Sequence, residues 1–192
     1  MPRVLNVTAV LEELVREGVA KVPELSHIDP SRVLVCVSSA KGNMSHGVYA
    51  KIYPLRFPGG SRTGHLERRG RLYRCEMPEV KHQGREILYV IYFLVPRFLD
   101  LSPRQKLLTL FHELYHISPS FDGDIRRFPG RNYAHGSSRK KYNAAVEAML
   151  ERYLPLASGS HTDFLDHDCS GLRSRFGNLV GRKMAVPRLK HL

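Results

Sequence analysis

The residues most able to do chemistry are His112-Glu113-Leu114-Tyr115-His116, an HExxH pentapeptide. Residues four apart on a helix lie one turn along the same face, so both imidazoles can reach one metal ion while Glu113 projects beside its open position. Imidazole ligands suit zinc best. A bound Zn2+ lowers the pKa of its water, and a neighbouring carboxylate can take the proton as that water attacks a peptide carbonyl. The motif therefore points to hydrolysis of a protein or peptide substrate with Glu113 as general base. A catalytic zinc holds three protein ligands and keeps the fourth position for water, so a further ligand is expected downstream. Two residues qualify. His135, in Ala134-His135-Gly136, stands nineteen residues beyond His116, and Glu147 stands thirty-one beyond it on the next helix. Tyr133 is a candidate donor to the developing oxyanion, whereas Tyr115 suits core packing better.

The motif can work only if it is helical, and the sequence around it supplies a start signal. Ser102 can cap the helix, Pro103 fits its first position, and Gln105 completes a capping box. Leu107, Leu108, Phe111, Leu114 and Tyr115 form the apolar face, and Ser118, Pro119, Asp122 and Gly123 end it. Before it, Val7, Val10, Leu11, Leu14 and Val15 predict an amphipathic opening helix. Strands are expected over 32–38 and 47–57. After a loop at Pro58–Gly64, two more are expected at 71–80 and 86–95, joined through His82-Gln83-Gly84. The last is apolar on both faces, so it belongs in the middle of a sheet. A polar, basic loop spans 121–137, and a final helix over 138–153 is stopped by Pro155. The expected fold class is α+β: an N-terminal helix, a small mixed or antiparallel sheet, the HExxH helix and a C-terminal helix. Residues 1–156 read as one domain and 157–192 as a basic extension packed on it or trailing from it.

The chain has 192 residues, with 30 Lys+Arg against 18 Asp+Glu and a net charge of +12. Such an excess favours anionic partners, nucleic acid foremost. Six basic residues, Arg126, Arg127, Arg131, Arg139, Lys140 and Lys141, fall in or next to the 121–137 loop with no acidic residue between them, and make that region the expected nucleic-acid contact. The longest apolar run, Ile87–Val95, is nine residues, about half of the ~20 needed to cross a bilayer. The first residues are too acidic for a signal peptide, and Cys36, Cys75 and Cys169 make no disulfide framework, so a cytoplasmic location is expected. His161, His167, Asp168 and Cys169 form a second cluster whose spacing matches no metal-ligand pattern.

HELYHISPSFDGDIRRF followed by NYAHG resembles the phage and prokaryotic metallopeptidases related to the SprT-like, or Spartan, proteases. In those proteins an HExxH helix is followed about twenty residues later by a His-Gly pair. The resemblance implies His112, His116 and His135 as zinc ligands, Glu113 as the catalytic residue and a zincin-like fold. It is strongest across residues 107–142. The chain departs from SprT in its Arg-rich insert, FDGDIRRFPGRNY, and in lacking a C-terminal CxxC zinc ribbon. YNAAVEAMLERYLP is similar to the ImmA/IrrE-like proteases, which cleave transcriptional repressors. That comparison implies an acidic ligand, Glu147, in place of His135. A rival from another class is a non-catalytic nucleic-acid-binding module with a structural zinc.

Overall fold

The computed structural model describes residues 4–39, 48–129, 134 and 139–192. Strand β1 (Val4–Asn6) leads straight into helix α1 (Val7–Lys21), whose first turn is capped by the Asn6 side chain accepting from the Ala9 N–H at 3.2 Å. Val7, Leu11, Leu14, Val15 and Gly18 are its buried face, the 3–4 spacing of an amphipathic helix. Gly18 is required by packing: a Cβ there would sit 2.9 Å from a ring carbon of Phe111, so only glycine lets the next layer approach this closely.

Strands β2 (Val33–Ser39) and β3 (Ala50–Pro54) flank a central strand that comes later in the chain. A long excursion intervenes: β4 (Thr63–Arg68), β5 (Arg71–Glu76), β6 (Lys81–His82) and β7 (Arg85–Glu86). The central strand, β8 (Tyr89–Val95), pairs parallel with β2 and antiparallel with β3. Its residues alternate between two cores. Tyr89, Ile91 and Phe93 enter the main one with α1, and Val90 and Tyr92 join Leu34, Cys36, Leu55 and Ile87 in a smaller one on the opposite face. Burial on both faces explains why this stretch is apolar throughout.

Helix α2 (Pro103–Tyr115) carries the histidines. Its capping box forms as read, with Ser102 Oγ accepting from Gln105 N–H and Gln105 Oε1 accepting from Ser102 N–H, both at 3.4 Å. Helix α3 (Arg139–Tyr153) packs on α2 and ends just before Pro155. The remainder, α4 (Thr162–Asp166), α5 (Cys169–Phe176), β9 (Asn178–Val180) and β10 (Lys190–His191), folds back on the body. Strand β9 pairs with β1, β10 pairs with β5, and Phe164 and Leu172 are buried in the main core. Lys106, 1% exposed on α2, donates to the carbonyls of Phe164, Leu165 and His167, tying that return segment to the helix of the motif. Among the described residues, five α-helices and several small sheets make a mixed α+β fold.

Three strand expectations change. The 47–57 strand is only Ala50–Pro54 among the described residues. The 71–80 and 86–95 segments do not pair with each other: β5 pairs with β4, a strand in what reads as loop and irregular sequence. His82-Gln83-Gly84 instead turns the two-residue ladder of β6 and β7. The hairpin of β4 and β5 escapes sequence reading because most of its residues are exposed on both faces, so no burial imposes an alternating pattern.

Glu17 clamps α1 to the chain after α3. Burial opposes its charge, but hydrogen bonds from Lys21, the Ser158 N–H at 2.6 Å and the Tyr153 hydroxyl at 2.9 Å outweigh that cost and hold its carboxyl at about 2 instead of 4.5. A folded pKa below the unfolded one stabilises the fold above pH ~4.5 and loses that contribution as pH falls towards ~2. The side chain is 11% exposed, so the full effect at neutral pH is on the order of 3 kcal/mol. Glu17→Gln should therefore lower the melting temperature clearly at pH 7, with the difference from wild type shrinking between pH 4.5 and 2.5. Thermal melts across that range measure it, and a difference independent of pH would refute the ionic clamp.

Candidate active site

Helix α2 ends at Tyr115 with His116 as its C-cap, so the motif occupies the last turn. The Nε2 atoms of His112 and His116 face each other at 3.2 Å. Two ligands of a tetrahedral metal at ~2.0–2.1 Å would stand ~3.3–3.4 Å apart, so the pair already has the spacing such an ion needs. Between them in sequence, Glu113 is 7% exposed on the side facing the sheet. Burial pushes its carboxyl up to about 7, and the Ile52 N–H, which donates to it, pulls in the opposite direction. That N–H is available because of ladder parity. Tyr49 C=O accepts from Leu94 N–H at 2.8 Å, so the alternate residues Ala50 and Ile52 turn their backbone groups away from β8.

Tyr142, in the first turns of α3, lies against both imidazoles. Its ring centroid is 4.9 Å from that of His112 and 5.1 Å from that of His116, and its hydroxyl donates to the His112 carbonyl at 3.0 Å. Burial raises its phenol far above the ordinary value, so it stays a neutral donor. Nothing local marks this residue, because its contact crosses thirty positions of sequence. Tyr115, expected in core packing, is half-buried against the main core and also lies between Tyr142 and Arg126, whose guanidinium carbon is 4.3 Å from its ring centre.

After His116 the chain reverses. Ile117 bridges Ile125, and the Arg126 N–H returns to the His116 carbonyl at 2.6 Å. The buried hydroxyl of Tyr89 pins this turn, donating to the Asp124 carbonyl at 2.8 Å and accepting from the Gly123 N–H at 2.9 Å. Phe128 then lies 5.9 Å from Tyr142, ring centre to ring centre.

His135, Tyr133 and Arg131 lie outside the described residues. Glu147 borders the same cavity of about 380 Å³ as His112 and Glu113, but its carboxylate is ion-paired with Arg104. Among the described residues, no group of three His, Cys, Asp or Glu side chains could hold a metal. Two of the six cations expected to meet nucleic acid are committed internally. Arg126 Nε donates to the Tyr115 carbonyl at 2.8 Å, and Arg127 is bidentate on buried Asp124 at 2.7 and 2.9 Å. Arg139, Lys140 and Lys141 open α3 at the surface.

The second cluster is divided among structural tasks. His161 faces Glu13 at 3.8 Å, His167 contacts the Asp163 carbonyl, Asp168 caps α5, and the Cys169 N–H donates to Asp100. No helix among the described residues is long and apolar enough to cross a membrane.

No curated protein and no solved structure matches the chain. One family model does, over residues 6–152, from β1 to the end of α3, so the span that builds the cavity and presents the paired histidines is the span the family defines. On that match the chain belongs to the family described as putative phage metallopeptidase.

Proposed function

We propose that the protein is a zinc-dependent peptidase of zincin-like architecture, with His112, His116 and His135 as metal ligands and Glu113 as general base. The observation that carries this reading is the convergence of the two Nε2 atoms beside a buried carboxylate on the wall of a cavity. When bound, the zinc supplies a Lewis acid that polarises the scissile carbonyl and acidifies its water. Glu113, its carboxyl pushed up to about 7 by burial against the opposing pull of the Ile52 N–H, takes a proton from the attacking water and returns it to the leaving amine. Tyr142 braces both imidazoles and fixes the backbone behind His112, limiting the ring motion that would loosen the site.

Phe128 and Tyr142 support His135 as the third ligand. Placed end to end, the centroid steps of 5.9 and 5.1 Å put Phe128 no more than about 11 Å from the His116 ring. His135 is seven residues from each of these anchors, and seven residues can span ~23 Å. Both ends of its segment therefore start near the imidazoles. This keeps the SprT-like comparison ahead of the ImmA/IrrE-like one, because Glu147 is already paired with Arg104. Tyr133, in the same segment, remains the proposed oxyanion donor.

The substrate is read as an extended peptide. The backbone groups of Ala50 point away from β8 at the cavity wall, and a chain laid there would add a strand beside the site. The experiment is zinc analysis of the purified protein with cleavage of an unfolded substrate such as casein. One zinc per chain is expected, with activity lost to a chelator and restored by Zn2+. A metal-loaded protein that cleaves nothing would instead favour the structural-zinc reading.

A further inference from the structure

A cationic exposed hairpin lies outside the catalytic region. Strands β4 and β5 form a hairpin whose Arg69-Gly70 tip has φ of +52° and +73°, the two-residue turn that matches the twist of a β-ribbon. Six-residue strands make the arm ~20 Å long. Residues 62–76 carry five arginines and two glutamates. Glu76 is already matched by Arg62 at 3.8 Å. Among the described residues, the side chains of Arg68, Arg69, Arg71 and Arg74 make no ion pair or hydrogen bond. Four guanidiniums with no ion pair or hydrogen bond repel each other on one thin arm, and this arrangement favours an external anion.

The register shows how they are displayed. Arg68 is opposite Arg71 and Leu66 is opposite Tyr73 on one face, while His65–Arg74 and Glu67–Leu72 occupy the other. On the first face, Tyr73 meets His191 edge-on at 5.7 Å, and a shallow cavity of about 480 Å³ is lined by Arg68, Arg69, Tyr73 and His191. Donors surrounding an aromatic ring suit a phosphodiester and its sugar. The base is stiff: β10 adds a third strand, and Phe57 covers Gly64, where a Cβ would come within 2.4 Å of its ring.

We propose that this ribbon is a duplex-DNA-binding arm that enters the major groove, with Arg68, Arg69 and Arg71 on backbone phosphates. A two-stranded ribbon fits a groove ~12 Å wide, whereas the major groove of A-form RNA is too narrow for it. An anionic membrane suits the arm less well. The exposed Leu66 and Leu72 are on opposite faces, so no single apolar face exists to bury in lipid. The arm does not depend on the peptidase reading. It moves the expected nucleic-acid contact from the region where Arg126 and Arg127 are tied inward to a hairpin with unpaired cations.

The test is fluorescence anisotropy with a labelled 20-base-pair DNA duplex at several salt concentrations, using the full-length zinc-loaded protein. Three phosphate contacts predict a log-log salt slope near −2.7, an affinity loss of about 40-fold between 50 and 200 mM. The variant Arg68→Ser/Arg69→Asn/Arg71→Ser, whose asparagine tolerates the turn's positive φ, should bind at least about tenfold more weakly at 50 mM and lose most of the slope. Its circular dichroism and zinc content should match wild type. Arg68→Lys/Arg71→Lys should retain binding, since a phosphate accepts a point charge. Wild-type-like binding by the triple variant would overturn the proposal, as would no binding by wild type at 50 mM. Equal affinity for a duplex RNA of the same sequence would overturn the groove fit, and binding to phosphatidylserine vesicles without DNA binding would replace it with a lipid surface.

Discussion

Glu113→Gln is expected to reduce kcat/KM on a casein substrate by about 10²–10⁴-fold while the protein keeps its zinc. Glutamine has nearly the same shape and can still accept from the Ile52 N–H, so packing between α2 and β3 should survive. What it lacks is a site for a proton. The separation of effects is the content of the prediction, because a ligand and a base fail differently. Metal analysis should show wild-type occupancy in the variant, and the cleavage assay should show loss. Full activity would remove Glu113 from the mechanism. Lost zinc with lost activity would make Glu113 a ligand and the site something other than a zincin. The variant should melt at the wild-type temperature or slightly above, since the native carboxylate is buried beside a single backbone donor.

His135→Ala is expected to strip the metal, and Glu147→Ala to leave it in place. Removing one of three proposed ligands should weaken affinity by more than the ~10–100-fold that loss of a hydrogen-bond partner behind a ligand costs. Competition with a chromogenic zinc chelator measures the change. Glu147 is 46% exposed and paired with Arg104, as is Glu151 at 2.8 Å, so its truncation removes one member of a solvent-screened surface ion pair. If the two variants exchange behaviours, α3 must turn Glu147 away from Arg104 towards the histidines, and the ImmA/IrrE-like comparison becomes the better one. If neither loses zinc, the third ligand lies elsewhere. His112→Ala and His116→Ala set the scale, as each removes one half of the 3.2 Å pair.

Much of this protein is written in signals that act within one or two turns of chain. The opening helix, the capping box of Ser102 and Gln105, and the stop before Pro155 depend on contacts between residues three or four apart, and each appears as the spacing predicts. The HExxH pair belongs to this class, because helix geometry alone puts His112 and His116 on one face. Strand β8 was legible for a related reason: burial on both sides leaves it no position for a polar residue.

Contacts between distant segments follow another logic, since which residues meet depends on register, loop closure and the parity of a ladder. Tyr142 lies against the imidazoles only because α3 runs antiparallel to α2, its first turns at His112 and His116 and its Glu147 at Arg104. Ile52 meets Glu113 because Tyr49 takes the bond to β8, a one-residue parity that composition cannot reveal. Arg126 and Arg127 look like free charge in the sequence, but a reversal at Ile117 folds them onto Tyr115 and Asp124. The 157–192 segment lacks strong periodicity because its order comes from partners far away: β1, β5 and the buried amine of Lys106. Sequence alone pointed to the residues proposed to bind a metal and move a proton. Tertiary structure decided what surrounds them, and which arginines remain free for a partner, because free energy from burial and pairing is assigned only once distant segments touch.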